Sequence, residues 1–328
     1  MENIKKTDNA VNIITAMTFK GIANAWVFNN LRTRKTVEQI VDMINSQSKQ
    51  DVFITVAQFE NVKSRIKSEL NNLYIKLKDN GGFKVTAIGD DDFPTPRPNV
   101  SPANQPVVLF YMGDLSLLSD YRKNVAVIGV LNPSERVEAE ERKVVRKLVE
   151  NEAVIVSGLA MGCDSIAHEE TVINRGKTIA VLPSSLDNIL PKANYPLAME
   201  ILEHGGLLVT EYYSSKLSSR FELSKRYIDR DRLQAMFSNC VVLSASYYEN
   251  KLGNDCGSRH ALAKAKQYGI RRAVIYNEDT DKTDPMFDLT RKIIKEDGVK
   301  ATIITRDNIE SKVLSIIKQG SCVQGTLM

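Results

Sequence analysis

The chain has 328 residues, 43% of them hydrophobic and 26% charged, which is ordinary for a soluble globular protein and leaves room for about two domains at roughly 100–200 residues each. Lys and Arg number 44 against 40 Asp and Glu, a net charge of +4, so a nucleic-acid site has to come from local arrangement and not from bulk charge. No apolar run approaches the ~20 residues of a membrane helix, and the opening "MENIKKTDNAVN" lacks the apolar core of a secretory signal. The four cysteines, Cys163, Cys240, Cys256 and Cys322, form no CxxC pair. That pattern argues against a zinc cage or a disulfide framework and fits a reducing, cytoplasmic setting.

In chain order, the first 79 residues read as a small helical domain. "GIANAWVFNNL" and "VEQIVDMINS" carry apolar residues at helical spacing. "VAQFENVKSRIKSELNNLYIKLKDNGG" reads as one long amphipathic helix, with Gly81-Gly82 as its stop. The stretch "GDDDFPTPRPNVSPANQP" is loop, because its prolines exclude a helix or a central strand. "VVLFYMGDLSLLS" predicts one strand and a turn.

From Asn124 the pattern changes. Apolar strands recur at "VAVIGV", "AVIVSG", "TIAVLP", "LLVTEY", "CVVLSAS", "RAVIYN" and "ATIITR", with helical stretches such as "SERVEAEERKVVRKLVEN" and "SRHALAKAKQYG" between them. Near-continuous apolar strands alternating with helices predict an α/β domain with a doubly wound, mainly parallel sheet over residues 80–320. Residues 321–328 read as a frayed tail.

In such a sheet, ligands bind beyond the carboxyl ends of the strands. That rule selects Gly129 to Asn132 after the first strand, Ser157, Gly158, Gly162 and Cys163 after the second, Pro183 to Ser185 after the third, and Glu211 after the fourth. After the fifth it selects Ser244, Ser246 and the loop to Gly257 and Ser258. Gly158 and Gly162 flank a helix start, where free N–H groups favour an anion, and Gly257-Ser258 repeats the arrangement. Simple turn chemistry accounts for either loop alone. Asp164 and His168 share a helix face, either as a polar pair at the groove or as an N-cap and a packed side chain. "SKRYIDRDRLQAMFS" offers Lys225, Arg226, Arg230 and Arg232, read either as phosphate-directed guanidinium groups beside a stacking Tyr227 or as a self-paired helix start. No nucleophile–base set emerges, and no cofactor or metal is expected.

These pieces together resemble the bacterial DNA-processing protein A (DprA/Smf) family. The likeness runs from about Asn80 to Tyr276 through "VAVIG", "VIVSGLAMGCDSIAH", "TIAVLPSSLDNILPKANYPLAMEI", "GGLLVTEY", "RDRLQAMFS" and "CGSRHALAKA". The resemblance implies an extended Rossmann-like domain that binds single-stranded DNA and is not an enzyme. It also implies a homodimer that loads a RecA-type recombinase on incoming strands in natural transformation. By position it implies nucleic-acid or phosphate contacts at Gly129, Ser157, Gly158, Gly162, Ser184, Lys192, Asn194, Arg230, Arg232, Gly257 and Ser258. The sequence departs from the family pattern where the first strand ends Gly129-Val130-Leu131 in place of Gly-Ser-Arg, and where Asp231 replaces an Asn. Two other readings of the fold are a nucleotide sensor and a phosphoribohydrolase-type enzyme. The latter calls for a "GGxGTxxE" loop where this chain has "DCGSRHAL".

Overall fold

The computed structural model describes residues 7–47, 53–217, 219–249 and 257–320. The expected tail and Cys256 lie outside the described residues. The chain divides into two compact units. One comprises the described residues within Met1–Leu115, Ser185–Asp187 and Val209–Ser215, the other those within Ser116–Ser184, Asn188–Leu208 and Lys216–Met328.

The first unit holds α1 (Asp8–Ala16), α2 (Asn24–Asn30), α3 (Val37–Asn45) and α4 (Val56–Leu77). Threonines start three of these helices. Thr7 caps α1, and Thr36/Gln39 and Thr55/Gln58 form reciprocal capping boxes on α3 and α4. The long helix ends where the sequence placed its stop, passing through a 3-10 turn to Gly81 at φ +85°. Two antiparallel strands follow, β1 (Lys84–Ala87) and β2 (Val108–Gly113), in the register Lys84 opposite Tyr111 and Ala87 opposite Val108. The first of these was not read from the sequence. It is only four residues long and runs directly into a loop fastened by Asp90, whose carboxylate accepts from Ala87 N–H at 3.0 Å and Thr7 Oγ1 at 2.6 Å.

The second unit begins with β3 (Asn124–Ile128), α5 (Glu135–Glu150), β4 (Val154–Ser157), α6 (Cys163–Ile173), β5 (Thr178–Val181) and α7 (Tyr195–Glu203). Next come β6 (Leu207–Thr210), whose last two residues fall in the first unit, then α8 (Arg220–Met236), β7 (Cys240–Leu243), α9 (Ser258–Gln267) and β8 (Arg271–Ile275). The chain finishes with α10 (Glu278–Asp281), α11 (Asp288–Asp297), β9 (Thr302–Ile304) and α12 (Ile309–Gly320). All seven strands expected from Asn124 onward are present. Their order is β6-β5-β4-β3-β7-β8-β9, with parallel pairing along β5-β4-β3-β7-β8-β9. This is the doubly wound α/β sheet that the apolar strand pattern implies. Val125, Val127, Ile155, Val242 and Ala273 pack with Val144, Val145 and Leu148 of α5 and Val313 and Ile316 of α12 to form one core. The "SKRYIDRDRLQAMFS" segment differs from expectation. Arg230 to Arg232 do not open a helix but lie within α8, which starts ten residues earlier, where the Ser219 hydroxyl accepts from Glu222 N–H.

The winding direction reverses at β3, which is flanked by β4 on one side and β7 on the other. The carboxyl ends of these strands are therefore the topological switch point, where open α/β sheets hold their ligands.

Candidate functional site

Gly129 leaves β3 at this switch point. A Cβ there would stand 2.5 Å from Cys163 Sγ and 3.1 Å from the Ala245 carbonyl, so only glycine lets α6 close onto the strand end. The Ser258 hydroxyl, at the start of α9, donates to the Gly129 carbonyl at 3.1 Å. Gly162 has φ +73°, and a Cβ on it would lie 2.3 Å from the Leu131 carbonyl oxygen. Cys163 N–H donates to the Val130 carbonyl at 3.0 Å, tying the β3 loop to the first turn of α6. Ser157 is fully buried and donates to the Val127 carbonyl at 2.7 Å.

Gly158 makes room for an arginine of this chain. A Cβ there would be 1.2 Å from Arg230 Nη1. Arg230 is 8% exposed and pairs with Asp164 (Nη1 to Oδ2, 3.2 Å) and Asp231 (Nε to Oδ1, 3.1 Å), with the Tyr227 ring 5.6 Å away. Burial opposes its charge, but the Asp231 and Asp164 carboxylates outweigh that and hold its pKa above the ordinary value. With the Gln234 amide oriented to satisfy its neighbours, its oxygen accepts from Gly158 N–H at 2.8 Å and its nitrogen donates to Asp231 at 3.2 Å. Arg232 is also buried and donates to the Asp229 carbonyl at 2.7 Å. Both arginines are turned inward. Asp231, which departs from the family pattern, is buried and pairs with Arg230.

The turn after β5 lies against the turn after β4. Asn194 Nδ2 donates to the carbonyls of Leu159 (2.9 Å) and Ala160 (3.1 Å). Leu159 itself is buried with φ +58°. Asn194 thus ties the segment that carries Lys192 and Tyr195 to the Leu159-Ala160 loop that precedes Met161. Met161, Leu131 and Tyr195 are 46%, 42% and 41% exposed, and Lys192 is exposed. Sequence reasoning singled out Lys192 and Asn194 but passed over Met161 and Tyr195. The available signal was a large apolar residue in an otherwise small-residue loop. Of the other expected contacts, Gly257 is exposed, Ser258 is nearly buried, and the Ser184 hydroxyl is closed off without a hydrogen-bond partner.

Two buried titratable groups lie close behind this edge. His168 Nδ1 and Thr178 Oγ1 are 2.7 Å apart, and Thr178 spends its proton on the Ile155 carbonyl at 2.8 Å. The ring therefore donates from Nδ1, and Nε2 is left without a partner. Burial, aided by the Arg230 charge, pushes the imidazole down to about 3. Glu141 is fully buried on α5, at helical spacing with Val137, Val144, Val145 and Leu148. Its neighbours are the Cys163 thiol and the Ser244 hydroxyl, yet neither carboxyl oxygen has a hydrogen-bond partner of ordinary geometry. Burial pushes its pKa up to about 8.

Residues 84–309 match the family described as DNA recombination-mediator protein A. The DNA processing protein DprA of Streptococcus pneumoniae is 39% identical over 144 residues, 44% of this chain and 49% of that protein. DprA of Bacillus subtilis is 29% identical over 163 residues, 48% of this chain and 54% of that protein. The matches thus span about half the length of these curated relatives. The X-ray structure of the Streptococcus pneumoniae protein superposes with a TM-score of 0.69 at 26% identity, covering 94% of this chain and 98% of that one. DNA processing protein A of Helicobacter pylori, solved for its single-stranded DNA binding mode, superposes with a TM-score of 0.57 at 26% identity, covering 72% and 97%.

Proposed function

This chain belongs to the DNA recombination-mediator protein A family, and from that premise we propose that it binds single-stranded DNA at the carboxyl edge of its parallel sheet. The observation that carries the reading is that residues 84–309, the matched segment, include every loop of that edge. The edge is organised around Gly129, Gly162 and Lys192, with Ser157, Gly158, Asn194 and Ser258 holding its loops together. Arg230 and Arg232 act in this reading as buried supports for those loops. Its role is binding and not catalysis. As in the family, homodimerisation and hand-over of the strand to a RecA-type recombinase complete the proposal. Nucleotide sensing, the other reading of the same fold, has no observation of its own in its favour.

The loops at this edge are short, and a flexible strand follows them more readily than a stiff duplex. The test is binding of labelled oligo-dT, the matching duplex and a panel of mononucleotides at two salt concentrations. Oligo-dT is expected to bind most tightly, with affinity falling as salt rises. Equal affinity for duplex and single strand, or preference for a mononucleotide, refutes the proposal.

A further inference from the structure

Glu141 is the least expected side chain behind the edge. It stands at helical spacing with Val137, Val144, Val145 and Leu148, where an apolar residue packs readily, yet a carboxyl group is there at 0% exposure. An ionised carboxylate in such a place is costly unless it is paired and hydrogen-bonded. Among the described residues, neither of its oxygens has a hydrogen-bond partner of ordinary geometry. Arg142, its neighbour on α5, is engaged by Glu138, Glu169 and Glu170. From α6 it is faced by the Cys163 thiol and by Asp164, whose charge opposes a second carboxylate. From the end of β7 it is faced by the neutral Ser244 hydroxyl.

The groups around Glu141 are the ones that hold three loops of the edge together. Cys163 N–H donates to the Val130 carbonyl at 3.0 Å, and the Cys163 side chain fills the space that a Cβ on Gly129 would take. Ser244 N–H donates to the Ile128 carbonyl at 2.9 Å, and the carbonyl of the next residue, Ala245, also closes on Gly129. The rest of the Glu141 helix face is sealed, since Val144, Val145 and Leu148 share one core with Val125, Val242 and Ile316. Water that hydrates an ionised Glu141 therefore has to pass between the Gly129, Cys163 and Ser244 segments, and in passing it parts them.

Resting on the single-strand reading, we propose that Glu141 is a positioning residue of this edge: neutral, it keeps the loops after β3, β4 and β7 closed in the form that takes the strand, and ionised, it opens them and releases the strand. A bound strand brings negative charge to the same side, which disfavours the ionised form as well. Burial places this titration at about 8. Burial also holds the Cys163 thiol well above its ordinary range and the His168 imidazole down at about 3, so neither of these changes charge in the same window. By linkage, a strand that prefers the neutral form drives proton uptake when it binds to the ionised one.

The experiment titrates labelled oligo-dT at constant ionic strength from about pH 6 to about pH 9, against the parent and Glu141→Gln, which keeps the shape of a neutral carboxyl group. Melting temperatures are recorded at each pH. Parent affinity follows the neutral fraction, so it is expected to be level to about pH 7, roughly halved at about pH 8 and about tenfold weaker at about pH 9. Glu141→Gln is expected to keep the parent's low-pH affinity across the whole range. If Glu141→Gln melts early, calorimetry on the parent carries the test. In two buffers of unlike ionisation enthalpy, binding is expected to take up roughly half a proton at about pH 8 and none at about pH 6. Parallel profiles for parent and variant, or a level parent profile without proton uptake, overturn the positioning role and leave single-strand binding standing. A parent that binds no oligo-dT at any pH refutes single-strand binding, and this role with it.

Discussion

Glu141 sets a stability profile that can be worked out from its surroundings. It is fully buried on α5 beside Cys163 and Ser244, and burial raises its pKa from 4.5 to about 8. Between those values the unfolded chain has released the proton and the folded chain has kept it, so stability falls as pH rises. The whole shift corresponds to about 5 kcal/mol at about 1.4 kcal/mol per pH unit. His168 acts in the opposite sense. Its pKa is lowered from 6.5 to about 3, so the unfolded chain takes up a proton below 6.5 that the folded chain refuses, and stability falls as pH drops toward 3. From 4.5 to 6.5 the two slopes cancel. Above 6.5 only Glu141 acts, and the loss up to pH 8 is about 2 kcal/mol, or roughly 0.7–1 M in urea midpoint at m of about 2–3 kcal/mol/M. Glu141→Gln keeps the shape and removes the ionisation. Urea titrations of parent and variant from pH 5 to pH 8.5 at constant ionic strength read the difference. The variant is expected to gain stability from pH 5 to 6.5 and then level off, while the parent is flat to 6.5 and then declines. Parallel profiles for the two proteins refute a proton held on Glu141.

Three further substitutions follow from the same geometry. Gly158→Ala places a Cβ 1.2 Å from Arg230 Nη1 and drives the guanidinium off Asp164, so a loss of about 3–5 kcal/mol is expected in denaturant unfolding, the cost of breaking a buried pair. Arg232→Ala removes a buried donor to the Asp229 carbonyl; its melting temperature is expected to fall, with the salt slope of oligo-dT binding unchanged. Leu131→Arg adds a cation at a position already 42% exposed, so the fold is expected to tolerate it and the salt slope to steepen by ~0.7 in filter-binding or anisotropy titrations.

Much of this protein is legible in its sequence. The strands from "VAVIG" to "ATIIT" are set by backbone chemistry, because unbroken apolar runs of strand length between helical repeats have to be buried on both faces. The switch-point rule then leads to the loops at the carboxyl edge of the sheet without coordinates. Gly129, Gly158 and Gly162 stand in those loops, and the structure shows each as a point of close approach with no room for a Cβ. What the sequence leaves open is the neighbour's identity. Only the tertiary structure places Arg230 over Gly158, turns Asp231 toward that arginine, and ties Asn194 to the Leu159-Ala160 loop. Contacts between residues tens of positions apart depend on strand order and helix rotation, which composition and periodicity do not encode locally. Glu141 shows the same limit: its place on the apolar face of α5 was readable from helical spacing, but its fully buried position next to Cys163 and Ser244 depends on how α5, α6 and β7 converge.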